Sequence, residues 1–195
     1  MLWTPVSSRA ALKEWAISAE ALAQGRQILL LRKGGLHDED GAFHLEYPAF
    51  FLAPTWFHQE RGLVKPDHQD LWQTTPRESD ETAKIVYLRH FARVEGVWHL
   101  REDAETALQG AAHIYSRSYL DLRFSYQADK PLLCAALRVF ALDEPIRLEL
   151  RAQDLGCKSW IEWDAPLEAR ATPALGDDEF ARKLQELRDV LATVI

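Results

Sequence analysis

The amino-acid sequence predicts a single α+β domain, in which one mixed sheet is combined with an N-terminal helix, a middle helix and a C-terminal amphipathic helix. A chain of 195 residues with 47 % hydrophobic content is long enough to bury one core. Short apolar runs bounded by glycine or proline alternate with stretches of helical periodicity, and no internal repeat divides the chain. We therefore predict one domain over residues 1–170, followed by a linker and a helix over residues 171–195.

Three stretches have the spacing of apolar residues that is typical of helices. The first runs from about residue 9 to residue 24, with Ser7 or Ser8 as a candidate N-cap and Gly25 as a candidate C-cap. The second, "REDAETALQGAAHIYSR", predicts the middle helix with Asp103 as its N-cap. The third, "DDEFARKLQELRDVLATVI", predicts the C-terminal helix.

The C-terminal helix carries an apolar stripe at alternating steps of four and three residues. The stripe consists of Phe180, Leu184, Leu187, Leu191 and Val194. Two interpretations stay open: the stripe packs on its own domain, or it joins two copies of the chain as a homodimer.

Several apolar runs predict strands. "RQILLLRK" is typical of a strand buried on both faces and stopped by Gly34 and Gly35, and "AFHLEY" and "AFFLAP" predict two short strands around a bend at Pro48. "TAKIVYLRHFARVEGVWHL" indicates a hairpin that turns at Glu95 and Gly96. "LLCAALRVFAL" predicts a strand ended by the residues up to Pro145, with "IRLEL" as another strand, and "DAPLEARATPALG" is typical of a linker.

Composition limits the possible functions. A formal charge of −7 opposes non-specific attraction to nucleic-acid backbones and anionic membranes, and no apolar run approaches the roughly 18 residues of a membrane span. We expect a cytoplasmic protein without membrane contact. Nucleotide-binding glycine motifs, HExxH and GxSxG are absent, so the common NTPase, dinucleotide-enzyme, zincin and hydrolase classes are excluded and no cofactor is predicted. Cys134 is expected to be buried and inert, whereas Cys157 beside Lys158 is the more reactive candidate.

Metal binding is weakly indicated. Four histidines lie in the first half of the chain near several acidic residues, but no pair has the helical spacing of a metal site. These histidines are His37, His44, His58 and His68. We expect them to be scattered at surface and half-buried positions, and we predict no metal site.

The segment "HIYSRSYLDLRFSY" interleaves aromatic and basic residues. Tyr115, Arg117, Tyr119 and Arg123 on one surface would stack a base and neutralise a phosphate. The alternative is an ordinary core strand whose arginines point outward.

The segment "LRKGG" offers a second candidate anion site. Backbone amides of Gly34 and Gly35 could cradle an anion while Arg32 and Lys33 supply charge. The alternative is a turn that only ends the strand, with its charges in solvent.

Blocks such as "GRQILLLRKGG", "FFLAPTWFHQ", "YSRSY", "LRVFAL" and "GCKSWIEW", in this order, resemble a bacterial family known as domain of unknown function 1802. The resemblance spans about residues 10–165. It implies an uncharacterised protein whose domain occurs alongside restriction-endonuclease-like domains of the Mrr type. The chain has no room for such a nuclease, so a nuclease partner would be a separate protein. The family supplies no catalytic residues that can be transferred.

Polar residues embedded in the apolar blocks could converge on one positively charged pocket at the ends of core strands. The candidates are Arg32, Lys33, Gly34, Gly35, His58, Gln59, Lys65, Arg117, Arg123 and Lys158, with Tyr115 and Tyr119 beside them. Such a pocket suits a nucleotide, a modified base or a phosphate better than long duplex DNA.

Three hypotheses of function remain. The first is a nucleic-acid or nucleotide-binding accessory module, linked to restriction or defence. The second is a hydrolase acting on a phosphorylated small molecule or nucleic acid, with His58 as general acid or base and Glu46 or Asp67 as its partner. The third is a non-catalytic interaction or dimerisation protein that uses the C-terminal stripe. The sequence leaves open whether the protein is an enzyme.

Overall fold

Six strands form one mixed sheet, in the computed structural model that describes residues 3–34, 43–79, 84–156 and 158–194. The strands are β1 (Thr4–Trp15), β2 (Leu29–Arg32), β3 (Ala49–Thr55), β4 (Ile85–Leu100), β5 (Leu132–Glu149) and β6 (Trp160–Pro173). The helices are α1 (Ala16–Ala23), α2 (Leu71–Thr74), α3 (Ala104–Gln109), α4 (Arg117–Ser125) and α5 (Asp177–Leu191). This arrangement confirms the predicted α+β class.

Five of the strands close into a barrel. The sheet order is β2-β5-β4-β3-β1-β6, and β6 pairs again with β5 through Phe140 and Pro173, so β6 joins the two sides of the sheet. Only β1 and β3 run parallel; the other pairs within the described chain are antiparallel. Closure removes the unpaired edges that an open sheet would expose.

Alternate residues of the barrel strands face two different cores. In β3, Phe51 belongs to the cluster shared by all five barrel strands, whereas Phe50 and Leu52 belong to a cluster with Leu22 of α1. A third cluster contains buried side chains of all five helices. Helix α2 contributes Leu71 alone, and each of the other four contributes at least two side chains. The helices therefore lie outside the barrel and enclose one end of the sheet.

The first predicted helix is wrong over its first half. Residues 9–15 continue strand β1, and α1 begins only at Ala16, so neither Ser7 nor Ser8 caps it. Ala10, Ala11 and Leu12 are fully buried, and Ala11 and Leu12 belong to different core clusters, because both faces of β1 are covered. A strand buried on both faces has a continuous apolar run, and such a run cannot be distinguished from a buried helix by periodicity.

The C-terminal end of α1 is correctly predicted. Gly25 has φ +66°, and the amides of Gly25 and Arg26 donate to the carbonyls of Leu22 and Ala21, 3.1 and 2.9 Å away. These are the two hydrogen bonds of a Schellman motif, in which the left-handed residue is usually glycine. β2 and the strand at "AFFLAP" are likewise confirmed, whereas "AFHLEY" (residues 42–47) forms no strand where it is described, over residues 43–47.

The predicted hairpin at Glu95 and Gly96 is wrong, because β4 continues as one strand. The register shifts between Val94 and Gly96, which makes Glu95 the extra residue of a β-bulge. The Trp98 ring lies where a side chain at Gly96 would project, 2.6 Å from a built Cβ. A glycine directly after a β-bulge therefore gives the same sequence signal as the turn of a hairpin.

β5 also continues past the predicted stop. Ala141 pairs with His90 and Ile146 with Leu88, so the residues around Pro145 lie at a second irregularity of the ladder. Proline is tolerated there because its missing N–H removes no ladder bond. The predicted break and the separate strand "IRLEL" therefore merge into one strand.

The stretch "DAPLEARATPALG" is not a linker. Most of it belongs to β6, where residues 167–171 pair with residues 4–8 of β1. The middle helix is shorter than predicted: α3 ends at Gln109, and Asp103 precedes it without a side-chain cap bond. The division of the chain at residue 170 stays a prediction.

The C-terminal helix α5 packs on its own domain. Phe180, Leu187 and Leu191 are buried in the cluster of helices, with Leu184 and Val194 packed against it. Packing on its own domain thus buries three of the five side chains fully and two partly, and the homodimer stays a prediction. None of the described helices is long and apolar enough to cross a membrane.

A buried arginine fixes the start of α5. Arg138 of β5 is 5 % exposed, and it donates to Asp177 Oδ1 at 2.6 Å and to the Gly176 carbonyl at 3.3 Å. Its guanidinium lies 4.6 Å from the centroid of the Phe180 ring. The pair also places a carboxylate in the first turn of α5, where the helix dipole favours negative charge.

We expect Leu187→Asp to lower the free energy of unfolding by at least about 3 kcal/mol, because it places an unpaired carboxylate in an apolar cluster. Ala181→Asp is the matched control on the exposed side of α5 and should change the stability by no more than about 0.5 kcal/mol. Urea unfolding followed by circular dichroism measures both. Equal midpoints for the two variants, or a dimer that Leu187→Asp converts to a folded monomer, would contradict this packing.

Candidate functional site

A cavity of about 590 Å³ opens where β1 and β2 end beside the start of β6. Helix α4 and the loop after β3 form its other walls. It is lined by Lys13, Glu14, Trp15, Leu31, Arg32, Lys33, Thr55, Phe57, His58, Leu63, Tyr119, Leu122, Arg123, Gly156, Lys158 and Ser159. Elements that are distant in sequence therefore supply this site together.

The cavity is cationic although the chain is acidic. The described residues of its walls include five cations, Lys13, Arg32, Lys33, Arg123 and Lys158, but one carboxylate, Glu14. Within the described residues, Arg32 is the sole member of the five in an ion pair. Among the described residues, the other four cations have no carboxylate within 4 Å, and such an excess of positive charge favours an anion.

Arg32 is held in place on several sides. Its Nη1 donates to Glu14 Oε2 and to the Lys13 carbonyl, both at 3.2 Å, and its Nη2 donates to Ser159 Oγ at 2.8 Å. Glu14 Oε1 accepts from the Trp15 amide at 2.9 Å. The guanidinium therefore joins the ends of β1, β2 and the residue before β6 in a fixed orientation.

The two lysines nearest to Arg32 are poorly hydrated. Lys13 and Lys33 are 7 % and 8 % exposed, and Lys13 Nζ donates to the Gly156 carbonyl at 3.0 Å. Burial lowers the pKa of Lys33, and the more distant charge of Asp129 opposes this shift. Because burial penalises the charged ammonium, an anion in the cavity would recover part of that cost.

An aromatic wall stands beside the cations. The Trp15 and Tyr119 rings meet edge to face with centroids 5.2 Å apart, and Arg123 lies 4.8 Å from the Tyr119 centroid and 5.8 Å from that of Trp15. Burial raises the pKa of Tyr119, so its hydroxyl keeps the proton at neutral pH. Phe57 and Leu122 add apolar surface at the rim, where they are 56 % and 55 % exposed.

The loop after β3 is anchored to α1. Gln59 Oε1 accepts from the Ile17 amide at 3.2 Å in the first turn of α1, and Gln59 Nε2 donates to the Thr55 carbonyl at 2.6 Å. His58 has φ +58°, a left-handed conformation in which histidine is among the more frequent side chains after glycine. This anchoring holds Phe57 and His58 at the cavity wall.

A buried polar network supports the aromatic wall from behind. Tyr115 is fully buried and stacks on Tyr119 with centroids 4.2 Å apart. The Tyr115 hydroxyl accepts from Gln27 Nε2 at 3.3 Å and lies 3.3 Å from Ser18 Oγ. His113 Nδ1 accepts from the Tyr115 amide at 3.1 Å, which leaves His113 Nε2–H to donate to the Leu108 carbonyl at 2.7 Å.

Comparison with known proteins identifies the family. The model of the family described as Domain of unknown function (DUF1802) matches residues 11–186. The chain belongs to this family. The match extends beyond the predicted residues 10–165 and includes most of α5. No curated protein matches the chain.

The DUF1802 chain is also similar to solved structures. The crystal structure of ASCH from Zymomonas mobilis has 16 % sequence identity and a TM-score of 0.43, over 91 % of this chain and 94 % of that chain. A mutant protein of the same ASCH has 15 % identity and a TM-score of 0.43, over 91 % and 96 % of the two chains.

The cavity of this DUF1802 protein contains six of the predicted binding residues. They are Arg32, Lys33, His58, Tyr119, Arg123 and Lys158. Their role in binding stays a prediction. The segment "HIYSRSYLDLRFSY" forms helix α4 and the turn before it, so the alternative of a core strand is wrong.

The remaining candidates lie elsewhere. Tyr115 is buried behind the cavity, Lys65 lies outside its lining, and Arg117 is exposed and 4.0 Å from Asp121. The carboxylates proposed for His58 are also absent from the lining, since Glu46 and Asp67 are exposed elsewhere. Gly34 does not line the cavity, and Gly35 lies outside the described residues, so the glycine cradle stays untested.

Sequence reasoning missed Lys13, Glu14 and Trp15, because the segment was assigned to a helix. It also missed Phe57 and Ser159, which have no distinguishing pattern in the sequence. The described residues contain no group of three potential metal ligands, while His37 lies outside them. Cys134 is buried as predicted, and burial raises the pKa of its thiol to about 12, whereas Cys157 lies outside the described residues.

The network behind the cavity predicts a loss of stability in acid. Burial lowers the pKa of His113 to about 4, below the 6.5 of an unperturbed histidine. The unfolded chain therefore takes up this proton first. The contribution of His113 to the free energy of unfolding is complete above pH 6.5 and falls by roughly 1.4 kcal/mol per pH unit from 6.5 towards 4. Urea unfolding at pH 7 and pH 5 should show a smaller loss for His113→Gln than for the wild type.

His99→Gln is the control, since His99 is exposed. It should keep the wild-type difference between the two pH values. The same difference in His113→Gln as in the wild type would show that His113 is not held neutral in the fold.

Proposed function

We propose that this protein binds a nucleotide unit, a base with its phosphates, either free or within a single-stranded nucleic acid. The single observation that carries the proposal is the cavity in which, among the described residues, four cations without an ion-pair partner lie beside Trp15 and Tyr119. A volume of about 590 Å³ is in the usual range of small-ligand pockets, which is roughly 300–1,000 Å³. The cations would therefore bind the phosphates, and the aromatic side chains would bind the base.

The basic wall suits phosphate oxygens. Lys13 and Arg32 lie near the ends of β1 and β2, and Lys158 lies just before β6; Gly156 accepts a hydrogen bond from Lys13 and Ser159 accepts one from Arg32. Charge-assisted hydrogen bonds to phosphate are stronger than neutral ones, and partial burial reduces their screening by solvent. The site therefore attracts an anion on a protein whose overall charge is −7.

The aromatic wall and the rim suit a base. Phe57 and Leu122 are large apolar side chains that are exposed to water, and a bound base would cover them. Stacking of a base on an aromatic ring contributes roughly 1–3 kcal/mol and tolerates any base. Arg123, stacked on Tyr119, lies where the two walls meet.

Extended duplex binding is less compatible with this surface. The cations are concentrated in the cavity, and Arg117, outside it, faces the charge of Asp121. Duplex affinity depends on many backbone contacts, which an acidic surface weakens. The link to restriction or defence and a separate nuclease partner rest on the family resemblance and stay predictions.

Hydrolysis is less well supported than binding. His58 lines the cavity, but Glu46 and Asp67, the carboxylates predicted to act with it, do not. The predicted acid–base pair is therefore not brought together at the cavity. We therefore favour a binding protein.

We expect Arg123→Ala to weaken nucleotide binding at least tenfold, because it removes the cation between the two walls. Arg117→Ala is the matched control on the same helix, outside the cavity, and should change affinity less than twofold. Fluorescence anisotropy with labelled single-stranded oligonucleotides, with mononucleotides as competitors, measures both variants at low and moderate salt.

Wild-type binding should weaken as salt rises, since phosphate contacts displace counterions. Equal losses in Arg117→Ala and Arg123→Ala would place binding outside the cavity. No saturable binding of any nucleotide or oligonucleotide at tens of micromolar protein would overturn the proposed function.

A further inference from the structure

We propose that the base recognised in the cavity is guanine, and that the Glu14 carboxylate recognises it by accepting hydrogen bonds from it. This inference rests on the proposed function and adds a base specificity to it. Its starting point is the position of a carboxylate among five cations, where a further cation or a neutral side chain would serve phosphate binding better. Glu14 is 4 % exposed, and its remaining surface lines the cavity.

The carboxylate retains capacity to accept hydrogen bonds. A carboxylate has about four acceptor sites, two on each oxygen. In the described residues Glu14 uses one site for the Trp15 amide and one for Arg32 Nη1. These two bonds fix the plane of the carboxylate and leave each oxygen one further site for a donor from a ligand.

Guanine is the natural base that presents two adjacent donors on one edge. Its N1–H and its N2 amino group point in the same direction at the spacing of the two carboxylate oxygens. Adenine would place its N1 lone pair against the carboxylate, and uracil would flank one N–H with two carbonyl oxygens. Cytosine would likewise oppose an acceptor nitrogen beside its amino group.

The surrounding cations suit the adjacent Hoogsteen edge of guanine. O6 and N7 of guanine are both acceptors, and a bidentate arginine is their commonest partner. Glu14 and Arg123 both line the cavity, so the two side chains flank one volume. The described residues thus offer donors and an acceptor that would match the two edges of guanine.

A purely structural role for Glu14 predicts a different result. If Glu14 only orients Arg32, its loss weakens phosphate binding for every base equally. If Glu14 reads the base, its loss changes the ratio of affinities between bases. The ratio is therefore the readout that separates the two roles.

The first test uses the wild-type protein and isothermal titration calorimetry. Guanosine 5′-monophosphate should bind about ten- to a hundredfold more tightly than adenosine, uridine or cytidine 5′-monophosphate. Inosine 5′-monophosphate, which lacks the N2 amino group, should lose about tenfold relative to guanosine 5′-monophosphate. Affinities within twofold across all five nucleotides would overturn the guanine inference and leave the proposed function intact, whereas no binding of any nucleotide or oligonucleotide would overturn both.

The second test uses Glu14→Gln, with Glu46→Gln as the matched control at an exposed position outside the cavity. Glu14→Gln should bring guanosine and adenosine 5′-monophosphate within about threefold of each other, while Glu46→Gln keeps the wild-type ratio. An unchanged ratio in folded Glu14→Gln would overturn the role of Glu14. If circular dichroism shows that this variant does not fold, the inosine comparison on the wild-type protein decides the inference.

Discussion

The pairing of β1 on both edges is the constraint on which the rest of the structure depends. β3 runs parallel to β1 on one side, with Leu12 opposite Leu52, and β6 runs antiparallel on the other, with Leu12 opposite Trp160. Backbone pairing with β3 and β6 therefore fixes the position of the C-terminal end of β1. Residues 13–15 emerge between two strands, and the Lys13 amide donates to the Ser159 carbonyl at 2.8 Å. The floor of the cavity is thus a direct consequence of the barrel.

The same constraint explains why charged side chains lie in a poorly hydrated place. Burying an ion is costly unless other groups replace its water. Arg32 replaces that water with Glu14, Ser159 and a backbone carbonyl, and Lys13 uses the Gly156 carbonyl. In the described lining one carboxylate faces five cations, so positive charge is in excess there on a chain of net charge −7. Low-dielectric walls concentrate such a field at the opening of a cavity.

Sequence patterns were sufficient for some of these features and not for others. α5 and β2 could be predicted because each has one strong periodic signal, and Gly25 because a left-handed residue after a helix is usually glycine. The grouping of Arg32, Lys33 and Lys158 could be anticipated from polar residues that interrupt apolar runs at strand ends. The position of residues 13–15 could not be predicted. Helix α1 follows β1 directly, and the apolar residues on both sides of the boundary fit one continuous helical spacing. Whether Glu95 and Gly96 form a turn or a bulge depends on partners that a local pattern does not contain.

The interleaved tyrosines and arginines show how secondary structure decides which residues share a site. In a strand, Tyr115, Arg117, Tyr119 and Arg123 are all separated by even numbers, so all four would lie on one face. In helix α4 the period is 3.6, so Arg123, four residues after Tyr119, shares its face, whereas Arg117, two residues before it, is turned away. Tyr115 precedes the helix and enters the core beneath Tyr119. The helical period therefore divides one sequence motif into a ligand-facing pair, a buried support and a solvent-exposed arginine, and only the first of these belongs to the cavity.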